Sequence, residues 1–343
     1  MGRHAAGVAR RRPFLVTVGA AAIVSTGFVI SSVTADSDAR VDVVSALSGA
    51  VRLLGRLAWP VLAMVVGLAA LHYLAAAVAA RAAAGVSTPL RETILVQLSA
   101  STANRLTPAG LGGSAVIARY LVKRAGLATA TAIGAVAALT VLGGVADLLA
   151  FAALALGGRF VGLGGGPGEV RSLFRRVDAL LRTSQAPFVW VAAGLLAATI
   201  GVLIRRRRHG RPARHVGRFL EPVGRLARRP AALSTLLAAS AGTTVILAVA
   251  FALTTSALPG PRPDASVGGL VIGFMVGAAA SNSIPIPAGL GATETALIGV
   301  LVAADIPAGQ AFEEVMIFRV ITFWIPALVG IVAARRLRSA GAL

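Results

Sequence analysis

The chain has 343 residues and no cysteine, so disulfides and thiolate metal sites are excluded. Lysine is nearly absent, Lys123 being the only one, and acidic residues number 13 against 33 Lys and Arg. Charged side chains make up 13% of the sequence, whereas soluble domains carry about 25%. No phosphate-binding P-loop, no metal-ligand spacing and no nucleophile–base arrangement occurs. A catalytic role, a cofactor and a metal are therefore not expected. No stretch is long and polar enough for a separate soluble enzyme domain. What fills the chain instead is apolar: 57% of residues are hydrophobic, and mean hydropathy is +0.83. Runs of about 20 apolar residues recur, the length that crosses a bilayer core. The expected fold is an all-α integral membrane protein, with residues 1–343 forming a single polytopic membrane domain.

The formal net charge of +20 is almost all arginine. In a soluble protein this would suggest nucleic acid. Here the arginines cluster at the ends of apolar runs, so anionic lipid at the membrane surface is the expected partner and nucleic acid is not. Arg3 and Arg10 to Arg12 precede an apolar run at 14–33, followed by the small-residue triplet Val33-Thr34-Ala35. That run exceeds the roughly 7–15 residues of a signal-peptide core, so it is expected to stay as a first span. Five more spans are expected at about 57–80, 128–156, 187–204, 231–254 and 312–334. Residues 170–181 alternate arginines and apolar residues at helical spacing and fit an interfacial helix. Residues 205–230 read as a basic cytoplasmic loop, with ten arginines and one glutamate between 205 and 229.

Two interrupted stretches remain, 90–124 and 266–303. Each arm is short for a span, so both read as re-entrant helical hairpins; eight full spans would satisfy the same charge rule. With six spans and two hairpins, the positive-inside rule puts the N- and C-termini and the 205–230 loop in the cytoplasm. The arginines of 159–182 are the dissent. The first hairpin then enters from inside and the second from outside. Inverted repeats with broken helices meeting near the midplane characterise secondary transporters.

The breaks repeat each other. Pro-Ala-Gly-Leu-Gly stands at 108–112 and again at 287–291. Non-helical backbone at membrane depth is tolerated only where protein or a water-filled cavity surrounds it. After each break a helix restarts, near Gly113-Ser114 and near Ala292-Thr293, with its first amides and positive dipole end at depth. Such an end suits a phosphate; a tight turn packed through glycines is the alternative. The candidate substrate-binding residues are Pro108, Gly110, Gly112, Gly113 and Ser114 in the first break, and Pro287, Gly289, Gly291 and Thr293 in the second. Arg105 and Arg119 flank the first break, Arg105 closer to its tip. Asn104 and Asn282 are placed to satisfy backbone groups freed at the tips. Glu294 is an ionisable group at membrane depth, which marks a functional candidate. Its open roles are proton carrier, cation site, arginine partner or plain helix cap. Arg319 lies two turns into the last span, either snorkelling outward or holding a phosphate or Glu294 with its bidentate fork. Asp147 is a further candidate partner for these arginines.

At the breaks and the last span the sequence resembles the transmembrane-region family of lysylphosphatidylglycerol synthases, also called the flippase-like domain family. The residues are Thr107-Pro108-Ala109-Gly110-Leu111-Gly112-Gly113 with Arg119-Tyr120-Leu121, and Pro285-Ile286-Pro287-Ala288-Gly289-Leu290-Gly291 with Glu294. Phe318-Arg319 with Thr322-Phe323-Trp324-Ile325-Pro326 complete the pattern, which runs from about residue 50 to the C-terminus. The resemblance implies a helical membrane domain with re-entrant helices. In bifunctional members that domain moves aminoacylated phospholipid between leaflets and a soluble domain makes it. This chain lacks the soluble domain, so lipid aminoacylation is not inferred. Members often carry an acidic–basic pair in the span after the first break, where this chain has Gly143-Gly144.

The expectation is a flippase or transporter of the cytoplasmic membrane that moves a phospholipid or other lipid-phosphate headgroup between leaflets. The alternative is a non-transporting scaffold or accessory subunit, partnered with an enzyme of envelope lipid or lipid-linked glycan synthesis.

Overall fold

The computed structural model describes residues 55, 57–107, 111–161, 214–260, 266–282 and 292–343. Every regular element among them is helical: α1 (Trp59–Ala84), α2 (Leu90–Leu106), α3 (Leu111–Ala125), α4 (Thr129–Val161), α5 (Arg214–Arg228), α6 (Pro230–Ala257), α7 (Val267–Asn282), α8 (Ala292–Ala303) and α9 (Ala308–Arg319). From α9 the chain passes through a π-helical turn (Val320–Trp324) into α10 (Ile325–Ser339). Among the described residues four stretches are long and apolar enough to cross a membrane: Trp59–Ala84, Thr129–Ala155, Pro230–Ala257 and the continuous run Ala308–Ser339. They correspond to the second, third, fifth and sixth expected spans. The protein is an all-α, multi-pass membrane protein. The expected spans at 14–33 and 187–204, the 170–181 helix and both break tips (108–110 and 283–291) lie outside the described residues.

The spanning helices are apolar all round, as lipid requires. Trp59, Met64, Val66 and Leu71 of α1 and Leu148 and Leu149 of α4 are exposed to the surroundings. Pro60 starts α1 where its missing N–H would have no helical partner anyway. Gly85 ends it in the left-handed conformation (φ 65°), donating its N–H to Arg81. Helix α6 packs along α1, and α4 lies against both.

The basic segment differs from expectation. Its second part is helix α5, not loop. Phe219, Val223 and Leu226 recur at helical spacing beneath the arginines, and Leu226 is buried in a cluster with Ala83, Ala138 and Leu236. The apolar stripe gives this part of the basic segment its helix. Gly134 of α4 lets the Phe219 carbonyl come against it, where a side chain would collide. Arg225 Nη1 donates to the Ala84 carbonyl at 2.7 Å and Nη2 pairs with Glu221 at 2.7 Å, so a cation closes the C-terminus of α1.

Helices α2 and α3 pack against each other, as do α7 and α8. The four contain 17, 15, 16 and 12 residues. At 1.5 Å per residue each is about 18–26 Å long, short of the roughly 30 Å hydrocarbon core. Glycines bring the arms together. A Cβ at Gly112 would lie 2.5 Å from the Ala103 carbonyl oxygen, and one at Gly273 would lie 2.5 Å from Val300. Across the open end of the first pair, Arg124 holds Glu92 with two hydrogen bonds of 3.0 and 2.9 Å.

One further contact positions the site. Helix α10 lies on α2, and Gly330 is what lets the backbones meet: a Cβ there would run into Leu98 and Thr102. Thr102 Oγ1 donates to the Ala327 carbonyl at 3.1 Å across this crossing. Gly330→Ala is expected to destabilise the protein by about 1–3 kcal/mol through overpacking. Thermal unfolding in detergent micelles checks it; an unchanged midpoint would mean the crossing is loose.

Candidate functional site

Glu294 sits in the first turn of α8, where the helix dipole favours a carboxylate. Arg319 is the last residue of α9. Arg319 Nε donates to Glu294 Oε1 at 2.7 Å, with side chains only 10% and 7% exposed. Of the alternatives open to Arg319, snorkelling is therefore not the one adopted. The anchor is Phe318, whose ring packs with Phe251 of α6 and Phe274 of α7 at centroid distances of 5.3 and 5.7 Å.

Below Arg319 the helix widens into the π turn. Pro326 gives the physical reason: it has no N–H for the Thr322 carbonyl, and its ring would crowd that carbonyl in a regular α-helix. Thr322 Oγ1 bonds back to the Phe318 carbonyl at 2.8 Å within the same turn. Such π turns concentrate at functional sites. This one carries Phe323, which is buried, with Trp324 edge-on to it at 5.2 Å.

Two guanidinium groups converge on Phe323. Arg319 Cζ is 3.8 Å from the ring centroid and Arg105 Cζ is 3.9 Å from it. Arg105 comes from the last turn of α2, held here by the α10 crossing. Among the described residues each arginine keeps one buried donor, Arg105 Nη1 and Arg319 Nη2, without a hydrogen-bond partner. A buried unsatisfied donor costs about 1–3 kcal/mol, more when charged, so the arrangement favours an acceptor oxygen at that place. The charge count is simple. Arg105 and Arg319 contribute two positive charges and Glu294 one negative. The break tips 108–110 and 283–291 carry no ionisable side chain. Among the described residues the site is thus left with one positive charge.

The first arm, α2, and the helices beside it carry several polar contacts. Tyr73 shares a hydrogen bond of 3.2 Å with Ser101, and His72 Nδ1 lies 3.0 Å from the Thr243 carbonyl. Gln97 Nε2 is buried without a hydrogen-bond partner among the described residues. At the start of α3 the amides are not free. Gly112 N–H donates to Thr107 Oγ1 at 2.8 Å and Gly113 N–H to Asn104 Oδ1 at 2.5 Å. The reading of an open amide cradle is corrected here for Gly112 and Gly113, because two short polar side chains of the preceding arm reach the helix end first. Asn104 takes the structural role expected of it.

Of the candidate residues, Arg105, Glu294 and Arg319 are brought together. Thr293, half-buried, is the neighbour of Glu294 in α8, and Ser114 lies just beyond the capped amides of α3. Arg119 of α3 is exposed, unlike the buried Gly113 and Tyr120, and does not join the cluster. Pro108, Gly110, Pro287, Gly289 and Gly291 lie outside the described residues, as does the side chain of Asn282. Asp147 pairs with none of the arginines among the described residues; its Oδ1 is buried without a hydrogen-bond partner. Sequence reasoning assigned no role to Phe323 or Glu314. Phe323 was detectable as the residue one helical turn past Arg319. Glu314 is fully buried, with Gln310 Nε2 donating to its Oε1 at 2.8 Å. No group of three or more metal-ligating side chains is assembled among the described residues.

A family model described as the lysylphosphatidylglycerol synthase TM region matches residues 10–330. No curated protein matches the chain.

Proposed function

The chain belongs to the lysylphosphatidylglycerol synthase transmembrane-region family, and from that premise we propose that it moves a lipid with a phosphate-bearing headgroup between the leaflets of the cytoplasmic membrane. The family is one of membrane proteins of lipid metabolism or transport. The observation that carries the finer reading is the pair of buried, unpartnered guanidinium donors of Arg105 and Arg319 at one ring.

Arginine edges match phosphate oxygens in spacing and charge. A headgroup phosphate would accept from Arg105 Nη1 and Arg319 Nη2, while Glu294 holds Arg319 in register through Nε. One negative charge balances the site, which suits a phosphodiester. The acyl chains stay in lipid. The two arginines come from the first helical pair and the last span, and Glu294 from the second pair. A site shared in this way between re-entrant, inverted halves is suited to alternating access. In this reading both termini are cytoplasmic. The exposed Arg228 at the end of α5 and Arg229 just after it meet anionic lipid there, each worth about 1 kcal/mol near the surface.

The test uses the full chain reconstituted into vesicles of phosphatidylcholine and phosphatidylglycerol containing acyl-labelled NBD-phosphatidylglycerol. Dithionite bleaches the outer leaflet. Bleaching that continues into the inner-leaflet pool only when protein is present is expected. Bleaching that stops at the outer leaflet with folded protein would overturn transport of this lipid and favour the scaffold role, with an envelope-synthesis enzyme as partner.

A further inference from the structure

We propose that Phe323 is the positioning residue of this anion site, its ring gathering Arg105 and Arg319 into a preformed pair while no anion is bound. The inference rests on the phosphate-holding reading above. Two like charges brought to one place in a medium of low dielectric repel each other. Arg319 has Glu294 to hold it. Arg105 has no ion pair among the described residues; Tyr73 gives it one side-chain hydrogen bond, and its guanidinium lies 3.9 Å from the ring centroid.

The chemistry of the holder matters. A second carboxylate would also keep Arg105 in place, but it would cancel the charge and occupy the N–H donors. An aromatic face attracts a cation through its quadrupole and adds no net charge. It contacts the face of the guanidinium, whereas the N–H bonds lie in the guanidinium plane and stay available at its edge. Arg105 Nη1 and Arg319 Nη2 are such unengaged edges. The ring is itself immobilised. It is 7% exposed, Trp324 packs edge-on against it, and Thr322 and Pro326 shape the turn that carries it. A leucine would fill most of the same volume and offer no quadrupole, so packing and electrostatics are separable at this position.

The experiment measures binding of dihexanoyl-phosphatidylglycerol to the full chain in detergent by the fluorescence of Trp324, with Trp59→Phe and Trp190→Phe removing the other indoles. Phe323 is replaced by phenylalanines carrying one, two and three ring fluorines, which drain the quadrupole at nearly constant volume. Phe323→Leu and Phe323→Trp accompany the series. Kd is expected to rise stepwise with each fluorine, to about tenfold with three, and further for Phe323→Leu, while Phe323→Trp binds as the parent does. A flat response to fluorination overturns the proposal, since a packing role predicts no trend. Failure of the parent protein to bind the phosphodiester overturns both the proposal and the phosphate reading. Binding without movement in the vesicle assay overturns transport alone.

Discussion

Arg319→Ala is expected to abolish lipid movement and to destabilise the protein by about 3–5 kcal/mol, the usual penalty for breaking a buried ion pair from one side. Glu294 is left as a 6% exposed carboxylate whose 2.7 Å guanidinium partner is gone. Its first-turn position in α8 offsets less than about 1 kcal/mol of that loss. Adding Glu294→Gln to Arg319→Ala removes the charge that lost its guanidinium partner. The double variant should recover much of the lost stability and none of the transport. That contrast separates holding the helices together from holding the ligand. Unfolding midpoints in detergent and the dithionite assay read the two quantities. An Arg319→Ala protein that keeps both its midpoint and its transport would eliminate the pair as the centre of the site.

Arg105→Gln is expected to behave differently: transport falls about 100-fold, the scale set by truncating one partner of a buried charge-assisted contact, and the unfolding midpoint barely moves. Arg105 has no ion pair among the described residues, so removing it strands no carboxylate. It also relieves the repulsion from Arg319 at the Phe323 ring. A large destabilisation would place Arg105 in the scaffold; full transport would remove it from the site. Arg105→Lys keeps the charge but loses the planar fork, and should recover only part of the activity.

The two expectations differ because the residues reach the site by different routes, and those routes were not equally legible in the sequence. Glu294 and Arg319 are conspicuous, each an ionisable group in apolar surroundings. Residues 25 apart on α8 and α9, joined by the short turn at Ala304 to Pro307, have little freedom to avoid each other. Arg105 is less conspicuous, at the end of a polar arm. It meets Phe323 only because Gly330 lets α10 close on α2 and because Pro326 forces the turn that carries the ring. The capping of Gly112 and Gly113 is not legible in the sequence for a related reason. A helix start predicts unsatisfied donors, but which groups reach them depends on where Thr107 and Asn104 stand in three dimensions. Helix α5 was hidden in turn by its arginines, although its apolar stripe was present all along.

The residue order alone therefore determined the solvent, the four described spans, the paired short helices and the charged residues worth testing. These follow from local hydropathy, segment length and the expense of an ionised group in lipid, which act on any chain that carries them. Tertiary structure decided which of those charges share a site. It joined Arg105 to Arg319 over a single ring, excluded Arg119, and closed the first helix end while leaving two guanidinium edges unpaired. Close approach between helices is set by individual glycines and by one proline-driven turn, and their consequences appear only once distant segments are packed.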